Sequence, residues 1–387
     1  MILPGRTVGV IGGGQLGRML GIAARQMGYG FAVFDPEKDG PAAQVADWQV
    51  NAPYSDLEAA QKFAAGVDVI TFEFENVQAE TLAAVEKLKP VHPSPKVLAT
   101  TRHRLREKDF LNSIGVKTAP YRAVRDLDSL RAALRELGTP SILKTVEFGY
   151  DGKGQFKFAA AGENIDDQAE EAWNAIGRQA AILEGFVTFD KEVSVVAARG
   201  QNGAYHPFAV FENEHREQIL DLTTWPADVS AIAARRAFDM AAAIGRELNI
   251  VGVYCVEYFV HGNTVIANEI APRPHNSGHL TIDAADVSQF EQQLRAVCGL
   301  PLHTPVRTCG AAAMAQLLGD LWQDGEPAWD KAITGPNVHL HLYGKKDAKA
   351  KRKMGHLTAT ADTVAEARRN VENARKALSG PSPSGRG

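Results

Sequence analysis

VYCVEYFV (253–260), HGN (261–263), TVIANEI (264–270) and APRPHNSGH (271–279) run on without a break, and the rest of the chain can be read outward from them. Two β-branched and aromatic runs flank the turn dipeptide Gly262-Asn263, a pattern that predicts a β-hairpin. Each run is apolar apart from one acid, Glu257 and Glu269, with Asn268 beside the second. A hairpin centred near Gly262 and Asn263 sets the two acids roughly opposite one another on one face. Carboxylates side by side in an apolar sheet repel and lose hydration unless a positive charge lies between them. Carboxylate and amide oxygens, without Cys or His, suit a hard cation such as Mg²⁺, which commonly completes its shell with substrate phosphates. The residues therefore point to a site for a nucleotide with Mg²⁺. A surface hairpin with two solvated acids is the plainer alternative, and the scarcity of acids in strands disfavours it. Residues 271–279 hold two prolines, a glycine, Arg273, His275, Asn276 and His279. They are expected to form a rigid polar loop rather than regular structure. Directly after a metal ligand, such a loop is where a second substrate would be held.

At the N-terminus, TVGVI (7–11) reads as a buried strand running into GGGQLG (12–17), a helix from Arg18 to about Met27, and a second strand FAVF (31–34) ending at Asp35. This is G-x-G-x-x-G with an acid about 20 residues on, the mark of a Rossmann-like βαβ unit whose helix N-terminus can receive an anion. An NAD(P) pyrophosphate or a substrate's monophosphate on the amides near Gln15 and Leu16 would both fit. VDVITF (67–72) is a further parallel-type strand, and Glu73 at its carboxyl end reads as an acceptor for ribose hydroxyls or as a helix-capping acid. HPSP (92–95) marks the first boundary.

Residues 101–114 read as one charged helix whose Arg102, Arg104, Arg106 and Lys108 form a solvated face. After a helix near 126–137, Lys144 ends an apolar strand as a candidate phosphate ligand. EFGYDGKGQ (147–155) then reads as a mobile glycine-rich loop whose amides can wrap phosphates, or as a hairpin turn with incidental glycines; it is not a Walker A motif. AAILEGFV (180–187) is a strand ending in a hinge, KEVSVVA (191–197) starts another, His215 lies in a polar stretch 212–218, and a helix spans 227–248. Beyond Pro301, residues 311–318 and 338–343 read as strands. Lys345, Lys349, Lys351, Arg352 and Lys353 then form a basic cluster, either a solvated loop or a clamp facing the anion site at Gln15. A helix is expected over 361–377.

A chain of 387 residues allows two or three domains, and 45% hydrophobic with 23% charged residues is an ordinary soluble globular balance. A net charge of −4 argues against nucleic-acid binding. Cys255, Cys298 and Cys309 cannot all pair and read as reduced core thiols of a cytoplasmic protein. No CxxC or His-x-x-x-His spacing suggests zinc. The N-terminus reads as a strand rather than a signal peptide, no apolar run reaches membrane-spanning length, and no internal repeat is visible.

GGGQLGRM (12–19), FGYDGKGQ (148–155), NEIAPRPHNSGH (268–279) and YGK with RKMGH (343–356), in this order, resemble the ATP-grasp superfamily and, within it, the N5-carboxyaminoimidazole ribonucleotide synthetases, over about residues 5–375. The resemblance implies an α/β fold, in part α+β. Its parts would be a Rossmann-like domain (1–100), a two-part ATP-grasp domain (101–300) with a lid at about 115–187, a small C-terminal domain (301–378) and a disordered tail (379–387). It implies that ATP meets Arg104, Lys144, Gly149, Tyr150, Asp151, Gly152, Lys153, Gly154, Gln155, Glu184, Gly185, Phe186, Val187, Glu192, His215, Asn268 and Glu269, with Mg²⁺ on Glu257 and Glu269. Aminoimidazole ribonucleotide would meet Gln15, Leu16, Glu73, Arg273, Lys345, Arg352 and Lys353. Bicarbonate, or the CO₂ made from it, would lie near Tyr150, Asp151, Lys153, Arg273, His275 and Asn276.

The implied reaction has two steps. Bicarbonate attacks the γ-phosphate of ATP to give carboxyphosphate, and the ribonucleotide's exocyclic amine then captures CO₂ in a site closed by the 149–155 lid. The family also suggests a homodimer built on the first and last domains. Three rival classes remain: a formate-dependent glycinamide ribonucleotide transformylase, an NAD-dependent dehydrogenase argued from Gly12 to Gly17 alone, and a non-catalytic nucleotide-binding protein. The Tyr150-Asp151-Gly-Lys153 loop and Asn276 favour the carboxylase over the first.

Overall fold

The computed structural model describes residues 1–147, 154–159, 165–335 and 337–379. The first unit is a sheet buried on both faces, which is why its strands are uninterrupted apolar runs. It holds β1 (Thr7–Ile11), α1 (Gln15–Gln26), β2 (Gly30–Phe34), β3 (Trp48–Val50), α2 (Leu57–Ala65), β4 (Val69–Phe72) and α3 (Ala79–Glu86), with all strands parallel in the order β3-β2-β1-β4. The helix expected over 101–114 is two helices, α4 (Pro95–Thr101) and α5 (Arg104–Ser113). His103 breaks the run: its backbone is extended, and its side chain accepts the Arg106 amide as a cap.

A four-stranded antiparallel sheet follows, in the order β5-β8-β6-β7. Its parts are β5 (Tyr121–Val124), α6 (Leu127–Leu137), β6 (Ser141–Thr145), β7 (Gln155–Phe158), α7 (Ile165–Ala175) and β8 (Ala181–Gly185). An Asp126–Ser129 capping box starts α6, and Leu130, Leu134, Ala169 and Ala172 of α6 and α7 are buried in one core with Leu143 and Leu183 of the sheet.

The third sheet has eight strands, in the order β13-β12-β9-β10-β11-β14-β16-β15. In chain order its parts are β9 (Lys191–Arg199), β10 (Tyr205–Arg216), β11 (Ile219–Trp225), α8 (Ala231–Glu247), β12 (Gly252–His261), β13 (Thr264–Ala271), α9 (Thr281–Ala284), α10 (Gln289–Val297), β14 (Ala311–Leu318), α11 (Trp329–Ala332), β15 (Val338–Leu342), β16 (Lys353–Ala361) and α12 (Val364–Ala377). The β11–β14 pairing carries the sheet straight from the central part of the chain into its last part. The polar stretch that holds His215 is the end of strand β10, and Lys353 opens β16 instead of ending a basic loop. Residues 361–363 precede α12, since Ala361 still belongs to β16.

Two helices fix β12. From α8, the carbonyls of Ala241 and Ala237 accept the hydroxyls of Tyr254 and Tyr258, at 2.7 and 3.0 Å. From α10, Gln293 accepts the Val253 amide at 2.5 Å and donates to Thr71 of β4 at 2.9 Å. Phe290, Leu294 and Val297 of α10 are buried against Leu16 and Leu20 of α1, each burial contributing about 1.5–3 kcal/mol. The first sheet and the hairpin strand are thereby held to one another through α10.

Candidate active site

The hairpin forms where the sequence expects it, with Gly262 in the left-handed region (φ 54°) between β12 and β13. Glu257 pairs directly with Glu269. The register then slips, from Glu257↔Glu269 to Tyr258↔Ala267, leaving Asn268 as the extra residue of a β-bulge. Strict alternation would put Asn268 and Glu269 on opposite faces; a bulge lets consecutive residues serve one site. Burial, followed by the charge of Glu269, raises the pKa of Glu257, while His215 and Lys353 act in the opposite sense. Arg104 Nη1 stands 3.7 Å from Glu269 Oε2.

Behind the hairpin lies a buried ionic cluster. Lys144 reaches Glu184 at 2.6 Å, and Lys108 reaches the other oxygen of Glu184 at 3.3 Å while donating to the Asn268 carbonyl at 2.7 Å. Lys108 is 2% exposed, so the solvated face expected of it is wrong. The adjacent Glu107 is also buried and accepts the Ile270 amide at 2.7 Å. Burial alone would raise the Glu184 pKa, but Lys144 and Lys108 bring it down to about 2; burial wins at Glu107, which rises to about 8. Gly185 donates to Pro120 O and Phe186 to Pro140 O, while the Phe186 ring is exposed at the strand end. On the neighbouring strands Glu192 and His215 are joined at 2.7 Å; burial opposes the imidazolium, but the Glu192 bond prevails and the His215 pKa is raised. Gly154 directly precedes β7, which Gln155 opens, and Gln155 Nε2 meets Gln218 of the β10–β11 turn. Gly149, Tyr150, Asp151, Gly152 and Lys153 lie outside the described residues.

The loop after β13 contains one turn of 3₁₀ helix, Asn276–Gly278, rather than wholly irregular chain. Arg273 Nε is held by Glu75 at 2.7 Å, and His275 Nε2 faces Glu257 at 3.3 Å. His275 Nδ1 accepts the Ser277 amide at 3.3 Å, so Nε2 carries the proton toward Glu257. Burial, then Arg273, holds His275 well below its usual pKa and hence neutral. A buried chain stands behind it: Ser277 Oγ to Ser194 Oγ at 2.8 Å, Asn213 Nδ2 to Ser194 at 2.9 Å, and Thr223 Oγ1 to Asn213 Oδ1 at 3.0 Å. Sequence reading passed over these residues; their signal is a Ser, an Asn and a Thr inside otherwise apolar strands. Both carboxamide atoms of Asn276 are buried with no hydrogen-bond partner among the described residues. Unpaired buried polar atoms are costly, and this pair offers one donor and one acceptor side to a small ligand.

At the far end, Glu73 accepts from Gly14 and from Gly17 (2.9 Å), and the Gln15 and Leu16 amides lie between those two. Of the two readings of Glu73, this arrangement is the cap. Asp35, the acid of the dinucleotide fingerprint, accepts the Gly13 amide at 2.6 Å and the Tyr54 hydroxyl at 2.5 Å, so both its position and its lone pairs serve the fold. Gly12 is glycine because φ is +111° and a Cβ would lie 2.6 Å from Glu73 Cγ. The loop after β15 docks on this end: Gln44 donates to Gly344 O at 2.7 Å and accepts from Arg18 at 2.8 Å. Lys345 is brought down to about 8 by burial, then by Arg352 and Lys353, while Glu73 acts on it in the opposite sense. Arg352 donates to Asp347 O, whereas Lys351 turns away to Glu217 at 2.6 Å.

Three family descriptions match in series: ribonucleotide synthetase preATP-grasp domain over residues 5–102, ATP-grasp domain over 109–290, and phosphoribosylaminoimidazole carboxylase C-terminal domain over 312–370. The N5-carboxyaminoimidazole ribonucleotide synthase of Brucella melitensis is 46% identical over 356 residues, 92% of this chain and 96% of that one. A solved N5-carboxyaminoimidazole ribonucleotide synthetase in complex with ADP superposes with a TM-score of 0.90 at 40% identity, covering 97% of both chains. The Aspergillus clavatus synthase, solved with ADP and 5-aminoimidazole ribonucleotide, gives 0.88 at 29% identity, covering 96% of this chain and 98% of that one.

Proposed function

The chain belongs to the N5-carboxyaminoimidazole ribonucleotide synthase family of ATP-grasp enzymes, and from that premise we propose how its own residues carboxylate 5-aminoimidazole ribonucleotide. The enzyme is an ATP-dependent ligase of purine biosynthesis, converting 5-aminoimidazole ribonucleotide to its N5-carboxy product with release of ADP and phosphate. The observation that carries the assignment of roles is the facing pair Glu257–Glu269, which leads without a break into the polar loop with its unpartnered Asn276.

Glu257 and Glu269, with the Asn268 oxygen beside them, fit Mg²⁺ by donor type and by the strain of two like charges. Bound there with ATP, Mg²⁺ would offset the charge that builds on the transferring phosphoryl group. Lys144 and Arg104 place positive charge on the nucleotide side, and Glu184 to Val187 form the edge along which the base lies. A bicarbonate oxygen attacks the γ-phosphorus, ADP leaves, and carboxyphosphate breaks down to CO₂ and phosphate. Arg273, oriented by Glu75, and Asn276 hold the carboxy group. Neutral His275 donates from Nε2 and keeps Glu257 aligned. The 5-amine of the ribonucleotide then attacks CO₂ and loses a proton. Its phosphate is received by the Gln15 and Leu16 amides on one side and by Lys345, Arg352 and Lys353 on the other.

Phosphate release should respond to aminoimidazole ribonucleotide with bicarbonate and not to glycinamide ribonucleotide with formate; the reverse pattern would overturn the substrate assignment. In the same assay Arg352→Ala should raise KM for the ribonucleotide about 10–100-fold with KM for ATP within about twofold, in keeping with loss of about 1.5–3 kcal/mol for a hydrogen bond to a charged group. Equal effects on both substrates would remove Arg352 from the phosphate site. Among the described residues no helix is long and apolar enough to cross a membrane, and we place the enzyme in the cytoplasm as a homodimer. Sedimentation velocity tests the dimer, and a single monomeric species would contradict it.

A further inference from the structure

A cluster of histidines outside the catalytic residues has no role in that reaction. Strands β15 and β16 pair with His341 opposite His356, and strand alternation puts His339 on the same face as His341. The His341 and His356 rings lie face to face, centroids 4.5 Å apart and 16° between planes. Asp283 of α9 meets them, with Oδ2 2.9 Å from His341 Nε2 and Oδ1 3.7 Å from His339 Nδ1. One donor atom from each of Asp283, His341 and His356 lies within 4.8 Å of the others.

A second observation points to a ligand. His356 is fully buried, its Nδ1 is tied to the Tyr343 hydroxyl at 3.0 Å, and its Nε2 has no partner among the described residues. Its neighbour His279 differs: its Nδ1 accepts from Gln289 Nε2 at 3.0 Å, which leaves the proton on Nε2, so His279 is not a ligand. An outer nitrogen held by a hydrogen bond and an inner one left bare is how metal-ligating imidazoles are oriented. Leaving such a nitrogen unmatched costs about 1–3 kcal/mol.

We propose that Asp283, His341 and His356 bind a zinc ion, with His339 or water as the fourth ligand. Two or three imidazoles and one carboxylate suit Zn²⁺ rather than Mg²⁺, which prefers an all-oxygen shell. Zn–N bonds of about 2.0–2.1 Å set tetrahedral ligands about 3.4 Å apart, so the donor atoms close by about 1 Å, and the partly exposed His341 ring swings out of its face-to-face contact with His356 for both in-plane lone pairs to meet the ion. The ion joins α9, which directly follows the substrate loop, to the strand that begins at Lys353. It therefore acts as a clip that fixes the basic loop 343–352 and Lys353 after it against the rest of the site. The sequence gives little sign of it, since the ligands come from three elements and share no short spacing.

The test uses the full chain, dialysed against chelator and returned to millimolar Mg²⁺ so that the oxygen site is occupied. Zn²⁺ titration by calorimetry should give one equivalent, and Co²⁺ should give the visible d–d bands of a tetrahedral N/O site. Asp283→Asn and His341→Asn should each weaken Zn²⁺ at least about 100-fold, while Glu269→Gln binds it as the parent does. His341 is partly exposed, and if one variant fails to fold the other carries the test. No zinc-dependent heat and no Co²⁺ bands, or binding that both variants leave unchanged, overturns the proposal.

Discussion

Glu269→Gln is expected to lower kcat for ATP-dependent carboxylation by about 10³-fold, roughly 4 kcal/mol of transition-state stabilisation. Glu269 is one of two acids set directly opposite each other, and it also faces Arg104 at 3.7 Å. Glutamine keeps the shape and one oxygen but removes the charge that holds the cation against the phosphates. Fold stability should not suffer. Substitution relieves the like-charge contact that raises the Glu257 pKa, so without metal the variant's Tm should equal or slightly exceed the parent's. Phosphate release with aminoimidazole ribonucleotide and bicarbonate measures the first effect, and differential scanning calorimetry the second. A rate within about tenfold of the parent would remove Glu269 from the metal site.

The second large effect is on stability. Lys108→Met should cost about 3–5 kcal/mol in urea unfolding at neutral pH. The ammonium is 2% exposed and its partner Glu184 6%, so solvent screening does not dilute the interaction. Methionine fills the space but leaves the Asn268 carbonyl without its donor and removes one of the two lysines paired with Glu184. The loss should depend on pH in a defined sense. Glu184 has a folded pKa of about 2 against the usual 4.5, so its contribution is present above about pH 4.5 and is lost as pH falls through about 2. The gap between parent and variant should therefore narrow below about pH 4.5. An exposed pair such as Lys351–Glu217 serves as the contrast, and Lys351→Ala should leave stability nearly unchanged. If Lys108→Met unfolds at the parent's urea midpoint, the buried cluster does not support the hairpin.

What was legible in the chain was what local pattern controls. Two apolar runs around Gly262-Asn263 specify the hairpin, and the period of two then fixes the Glu257–Glu269 pairing to within a residue. The bulge at Asn268 was not legible, because an extra residue in a strand leaves no mark in the apolar pattern. Lys108 looked solvated because it follows Arg102, Arg104 and Arg106; its partner Glu184 lies on a strand that only the tertiary fold brings near. β10 was hidden for the opposite reason. Its Glu212, Asn213, Glu214 and His215 are polar because the strand serves the site and the α12 helix, where Arg368 pairs with Glu214. The glycine start illustrates the limit of motif reading: Gly12 to Gly17 and Asp35 match a dinucleotide fingerprint, yet Asp35 and Glu73 fold back to occupy the loop's own amides. Local sequence gave the βαβ unit, and only packing decided its use.

The central claim is that Glu257 and Glu269 coexist in an apolar sheet because they share a divalent cation with the nucleotide. Mn²⁺ titration followed by electron paramagnetic resonance, with a non-hydrolysable ATP analogue present, tests it most directly. The parent should bind Mn²⁺ together with the analogue, Glu257→Gln and Glu269→Gln should each weaken it by at least about tenfold, and Arg352→Ala should leave it unchanged. Mn²⁺ bound equally well by the parent and both acid variants would contradict the account.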